Sequence, residues 1–239
     1  MTASSVFPFP LEFADSTWRS RFTDYGWNRF DSLWNLDATE VDTPNVRRGG
    51  WSSVVRMSAP DGSLFYLKRQ QNHFYRDPKN FYRKTPTAVR EWRSTKELGD
   101  AGIGVLNAVC MGMGVSHDAS RAVFVTEALT DHRSLPETLQ DPALSPAARV
   151  ELWHALGHLI RRVHRRGYRY NCLYGKHVML HAATLRKQLG HPADRPRESD
   201  QGPICDQRHD QRLESTRSPH RRHEQSRSPG LLGCLFRRH

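Results

Sequence analysis

Two glycines, a lysine and a pair of glutamates stand in this sequence in an order that suits the handling of a nucleotide polyphosphate. Gly49 and Gly50, in RRGGWSSVVR, precede a hairpin pattern. Glycine there lets backbone N–H groups approach phosphate oxygens with no Cβ in the way, although such a pair also makes an ordinary turn. Lys68 falls on the second strand of that hairpin, where an ammonium can bind α- and β-phosphates; strand-end lysines also simply snorkel into water. Glu91, on the helix that follows, can pair with Lys68 and fix it, unless it is only a solvated helical glutamate; Glu97 is its rival for that role. Farther on, Val123-Phe124-Val125-Thr126 runs out into Glu127-Ala128-Leu129. That is either a simple strand exit or a connector whose backbone donors and acceptors meet an adenine edge.

Two other groupings invite chemistry. His154 and His158 have the i,i+4 spacing of a metal pair, but they lack the carboxylate of an HExxH motif and lie beside an apolar stripe. They read as solvated histidines. The stretch from Arg69 to Arg90 interleaves Phe74, Tyr75, Phe81 and Tyr82 with Arg76, Lys79, Arg83 and Lys84. Such a mixture stacks bases and binds phosphates. The preferred reading is a loop between hairpin and helix that suits phosphorylated sugars.

The elements that must position these residues are legible from period and punctuation. Ser52–Ser58, the turn Ala59-Pro60-Asp61-Gly62 and Ser63–Arg69 predict a β-hairpin, with Leu64, Tyr66 and Lys68 on one face and Phe65, Leu67 and Arg69 on the other. A helix is predicted next, capped by Thr85, with Pro86 in its first turn and Gly99 and Gly102 ending it. Val105–Met111 and Ala122–Thr126 predict strands. Pro146–His164 predicts a long helix with Val150, Trp153, Leu156, Ile160 and Val163 on one buried stripe, stopped by Gly167. Val178-Met179-Leu180 predicts a last short strand. An aromatic-rich stretch, Trp18–Trp34, is expected to cover the first lobe.

Size allows one domain or two small lobes: 239 residues, 37% hydrophobic, mean hydropathy −0.73. The net charge of +11 favours polyanionic partners such as nucleotide phosphates, nucleic acid or anionic lipid headgroups, unless it is only a non-specific excess of arginine. Four cysteines (Cys110, Cys172, Cys205 and Cys234) form no CxxC pair, so neither a disulfide framework nor a thiolate zinc site is expected, and a reducing compartment fits. The N-terminus does not read as a signal peptide, and no run approaches the roughly 20 apolar residues of a membrane helix. Any membrane contact is expected to be peripheral. Composition changes near residue 181: all six tryptophans, all seven tyrosines and every phenylalanine but Phe236 lie before it. The remainder is expected to be a disordered basic tail. It reads either as a tail for anionic surfaces or, preferentially, as degenerate coding sequence.

The motifs RRGGWSSVV, FYLKRQ, TPTAVREW, GIGV, VTEAL and YNCLYGKHVML, in that order over roughly residues 18–180, resemble the lipopolysaccharide kinase family of the InaA type. The resemblance implies an α+β, protein-kinase-like fold: an N-lobe antiparallel sheet with one helix over residues 1–129, an incomplete helical C-lobe over 130–180, and the tail 181–239. It implies ATP with Mg²⁺ between the lobes and a sugar hydroxyl of the lipopolysaccharide core precursor as acceptor. A cytoplasmic location, peripheral on the inner face of the inner membrane, goes with it. Gly49 and Gly50 then fall on the phosphate loop, Lys68 and Glu91 on the nucleotide ion pair, and Glu127 on the inter-lobe hinge.

Tyr170-Asn171-Cys172 takes the place of the catalytic H-R-D, and His177 that of the metal-binding asparagine. Two departures accompany this. The catalytic aspartate position is Cys172, whose thiol is a poor proton acceptor for an alcohol. After Leu180 there is no apolar strand leading into a metal-binding aspartate; such a loss typically costs about three orders of magnitude in rate. Besides an active sugar kinase, the sequence therefore leaves open an inactive pseudokinase or truncated remnant, and, less well supported, a basic nucleic-acid-binding protein.

Overall fold

Alternation from Gly50 to Gln71 becomes the middle of a sheet. In the computed structural model, β1 (Leu11–Phe13) is followed by α1 (Ser16–Asp24), α2 (Phe30–Trp34), β2 (Thr39–Glu40), β3 (Asn45–Arg47), β4 (Gly50–Ser58) and β5 (Leu64–Gln71). A second hairpin, β6 (Phe74–Asp77) and β7 (Arg83–Pro86), leads into α3 (Thr87–Asp100). Strands β8 (Ala108–Ser116) and β9 (Ala119–Glu127) complete the first lobe. Then come β10 (His132–Ser134), α4 (Leu135–Leu139), α5 (Pro146–Arg165), β11 (Tyr168–Tyr170) and β12 (Val178–His181), with two short strands, β13 (Ile204–Cys205) and β14 (Phe236–Arg238). The structure describes residues 9–182 except 42, 48, 78–80, 117–118 and 171–172, together with 204–205 and 236–238. Most of the expected tail, 181–239, lies outside the described residues.

The main sheet has seven strands in the order β1-β8-β9-β5-β4-β2, with β3 also paired to β4. Its central strand β5 is antiparallel to both neighbours, so residues directly opposite one another share a face. Phe65, Leu67, Val123 and Val125 face α1 and α2, where Phe13, Phe22, Phe30 and Leu33 fill the same core. Each large side chain buried there stabilises the fold by about 1.5–3 kcal/mol. Lys68, Gln70, Ala122 and Phe124 lie on the opposite face, against Ala88, Val89 and Trp92 of α3. The single N-lobe helix implied by the resemblance is α3; α1 and α2 cover the other side of the sheet.

Several expectations need correction. Thr85 belongs to β7 and does not cap α3, and Pro86 is the N-cap residue, not part of the first turn. The cap comes from Gln70, whose Oε1 accepts from the Ala88 N–H at 2.9 Å and from the Thr87 hydroxyl at 3.0 Å. A distant side chain thus satisfies an N–H that a helix start leaves open. The strand predicted from Val105 begins at Ala108, and the last strand reaches His181. The aromatic-basic stretch is a hairpin and not a loop.

Helix α5 starts at Pro146 as expected, and the Ser145 side chain caps it. Its buried stripe, however, is Ala148, Leu152, Leu156, Leu159 and Val163; Val150 and Trp153 are half exposed. That stripe packs with Leu98 near the end of α3, with Ile103 and Val105 just after that helix, and with Val178 and Leu180 of β12, tying the first lobe to the helical one.

Candidate active site

Lys68 sits on β5 between Val54 of β4 and Phe124 of β9. Its Nζ donates to both carboxylate oxygens of Glu91, at 2.7 and 2.9 Å. The two side chains are 13% and 4% exposed. Withdrawing both charges from water is costly, and only close, two-oxygen geometry offsets it. The lysine head is therefore held at one point above the sheet. The rival carboxylate is engaged elsewhere: Glu97 accepts from the Tyr168 hydroxyl. Six residues along a helix is one and two-thirds turns, which carries Glu97 well around α3 from Glu91.

Gln70 has no place among the residues singled out from sequence. It lies two residues beyond Lys68, so it shares that face of β5, and it is 1% exposed. By capping α3 it sets the height of the helix that carries Glu91. A glutamine at period 2 from a candidate lysine, hence on the same strand face, was the available signal.

The glycines occupy the β3–β4 turn. Gly49 has φ 78°, a left-handed conformation that suits glycine. Gly50 has no room for a side chain: a Cβ would lie 2.4 Å from the Asn72 carbonyl oxygen. The turn itself thus accounts for both residues, and it leaves backbone near the end of β5. Gly50→Ala is expected to lower stability by about 1–3 kcal/mol, read as a shift in the urea midpoint with unchanged slope.

At the exit of β9, the Glu127 N–H donates to the Asn107 carbonyl at 3.0 Å and the Ala128 N–H to the Leu64 carbonyl at 2.9 Å. The Asn107 amide donates to the Glu127 carboxylate at 3.0 Å. Those two backbone donors, expected from sequence to meet a base edge, are engaged within the protein. Glu127 also borders an open cavity of about 1150 Å³ with Lys96, Asn107, His158 and Arg162; neither Lys68 nor Glu91 lines it. His154 and His158 are exposed on α5.

His177 closes a single 3-10 turn, Gly175–His177, and is 1% exposed, its ring 5.5 Å from that of Tyr174. Asn171 and Cys172 lie outside the described residues. The expectation that His177 binds the metal meets an obstacle. Mg²⁺ takes oxygen ligands in near-octahedral array. Among the described residues no group of three or more His, Cys, Asp or Glu side chains could hold a metal ion, and His177 brings an imidazole. The His177 imidazole by itself is a poor match for Mg²⁺, which prefers oxygen.

Strand β5 with its lysine, α3 with the paired glutamate, a glycine turn ahead of them and a turn bearing His177 after a long helix form one ordered set. The family model for lipopolysaccharide kinases (Kdo/WaaP) matches residues 31–190, two-thirds of the chain. The chain belongs to that family. Every candidate from Gly49 to His177 lies inside the Kdo/WaaP match, whereas β1 and α1 precede it. Protein InaA of Escherichia coli (strain K12) is 27% identical over 156 residues, which is 64% of this chain and 71% of InaA.

Among solved structures, WaaP in complex with acyl carrier protein aligns with TM-score 0.55 and 18% identity, over 82% of this chain and 69% of WaaP. At that identity the likeness shows the fold alone, which is protein-kinase-like. A MAP kinase, LmaMPK10 from Leishmania major, aligns with TM-score 0.38 and 14% identity over 69% of this chain and 48% of its own, too distant to argue from. The Kdo/WaaP match does not favour the nucleic-acid-binding reading.

Proposed function

We propose that this protein transfers the γ-phosphoryl group of ATP to a sugar hydroxyl of the lipopolysaccharide inner core, working in the cytoplasm at an anionic membrane surface. The observation that carries the proposal is the Lys68–Glu91 pair, formed across 23 residues between the central strand and its covering helix. A cation held this rigidly organises α- and β-phosphate oxygens without reorganising when they arrive. The Gly49–Gly50 turn offers backbone to the phosphates, the Glu127 exit borders the base, and the Asn171–His177 segment handles the acceptor.

Cys172 at the base position is compatible with this chemistry. Phosphoryl transfer passes through a loose transition state in which positioning and charge stabilisation do most of the work. Proton removal by a strong base is then a smaller part of the rate. No helix among the described residues is long and apolar enough to cross a membrane, so the proposed membrane contact is made by the surface. Titration calorimetry with ATP, with and without Mg²⁺, tests the nucleotide site: Lys68→Ala is expected to weaken affinity at least tenfold. Unchanged affinity in that variant means that the assigned site is wrong.

A further inference from the structure

Six of the nine large hydrophobic side chains exposed among the described residues belong to one end of the first lobe. The strand register places them. Val46 pairs with Trp51, Trp51 with Gln71 and Gln71 with Arg121; beside that row, Met113 pairs with Ala122 and Val115 with Ser120. The β6–β7 hairpin springs from the same end, three residues after Gln71, and carries Phe74, Phe81 and Tyr82. Isolated exposed apolar residues are ordinary on any protein; here Val46 lies on the α1–α2 side of the sheet and Met113 and Val115 on the α3 side, so these residues rim that end from both faces.

The hairpin tip adds a separate observation. Phe81 and Tyr82 are 91% and 63% exposed and have φ of 48° and 56°. Left-handed backbone is uncommon for bulky residues and unfavourable, and here two aromatic residues adopt it in succession. Glycine or asparagine would make the turn more easily, and neither ring is buried.

Charge on the stem points the same way. Arg76 and Lys84 are cross-strand partners and both are exposed, a like-charge pairing unfavourable in an isolated hairpin. Arg83 is exposed as well. Asp77, the acid of this hairpin, is 2% exposed and bridged to Arg93 of α3 at 2.9 Å, so its charge is answered inside. With Arg90 stacked 4.4 Å over the Tyr75 ring, that bridge holds the hairpin against α3. The result is a braced finger with an aromatic tip and a basic stem.

We propose that this end of the first lobe is the face that seats the protein on an anionic phospholipid bilayer, with Phe81 and Tyr82 entering the headgroup layer and Arg76, Arg83 and Lys84 meeting lipid phosphates. Aromatic rings settle at membrane interfaces, and each basic residue brought to an anionic surface contributes about fivefold to partition. The inference rests on the membrane-surface reading above and deepens it. The Gly49–Gly50 turn lies at this same end, with Gly50 against Asn72, so a membrane-borne acceptor would arrive beside the phosphate turn.

The test is co-sedimentation of the full chain with phosphatidylcholine vesicles and with vesicles enriched in phosphatidylglycerol, with ATP affinity measured in parallel. The wild-type protein is expected to bind the anionic vesicles and to release them with salt. Phe81→Gly with Tyr82→Gly, which suits the left-handed turn and leaves the fold intact, is expected to lower partition at least tenfold with unchanged ATP affinity. Arg76→Ser and Lys84→Ser are each expected to lower it about fivefold. Equal binding by the double-glycine variant, no binding to anionic vesicles, or displacement from them by a single-stranded oligonucleotide overturns the proposal. A protein that binds ATP through Lys68 but ignores vesicles loses only this surface. One that binds vesicles but not ATP loses only the kinase site.

Discussion

Lys68→Met is expected to lower phosphoryl transfer by about two to three orders of magnitude, and to weaken the fold as well. The catalytic loss stems from removing a preorganised cation from the transferring phosphates. The loss of stability has a different origin. Glu91 is 4% exposed and both its oxygens accept from the Lys68 ammonium, so the variant takes a close positive charge away from a buried carboxylate. Breaking a buried pair from one side typically costs about 3–5 kcal/mol. Adding Glu91→Gln to Lys68→Met removes that buried negative charge. Urea denaturation of the double variant should recover most of the stability, while turnover should stay as low as in the single variant. If turnover recovers together with stability, the lysine is serving the fold and not the nucleotide.

The second large effect concerns the segment ahead of the family match. Phe22 is fully buried, and its ring lies 5.2 Å from Phe65, 5.7 Å from Trp27, 5.9 Å from Phe13 and 6.3 Å from Trp18. It plugs the face of β5 opposite Lys68. Phe22→Ala is expected to destabilise the protein by about 3–5 kcal/mol, through lost transfer energy and the cavity left behind. Tryptophan fluorescence during urea unfolding reads this directly, because Trp18 and Trp27 border the site. A change below about 1 kcal/mol would mean that α1 is an appendage and not part of the lobe.

The central hairpin is legible in the sequence because every level agrees: period-2 alternation over Ser52–Arg69, a Pro-Asp-Gly turn, and faces that sort Phe65 and Leu67 from Lys68. The meeting of Lys68 with Glu91 is legible as an order of elements, and the rotation of α3 then separates Glu91 from Glu97. The cap of α3 is not. Thr85 and Pro86 have the right chemistry for a helix start, but Gln70, remote in sequence, takes the role, and no local pattern encodes a cap supplied from another strand.

The stripe of α5 departs from its expected residues for a related reason. Val150, Trp153 and Ile160 fit a spacing of three and four as well as Leu152 and Leu159 do. Packing against β12 and the end of α3, not periodicity, decides which set is buried. In the β6–β7 segment, basic and aromatic residues hide a hairpin whose strands alternate weakly. The residues at the catalytic-loop position, Asn171 and Cys172, are known from sequence alone.

The central claim is that a phosphoryl group passes from ATP to the lipopolysaccharide core in a site built on Lys68. Incubating the purified chain with γ-labelled ATP and re-extracted inner-core glycolipid, then tracing label into the deacylated core sugar, tests it most directly. The account predicts labelled sugar with the wild-type protein and at least a hundredfold less with Lys68→Met. No transfer by a wild-type protein that is folded and binds ATP, or equal transfer by the variant, would contradict it.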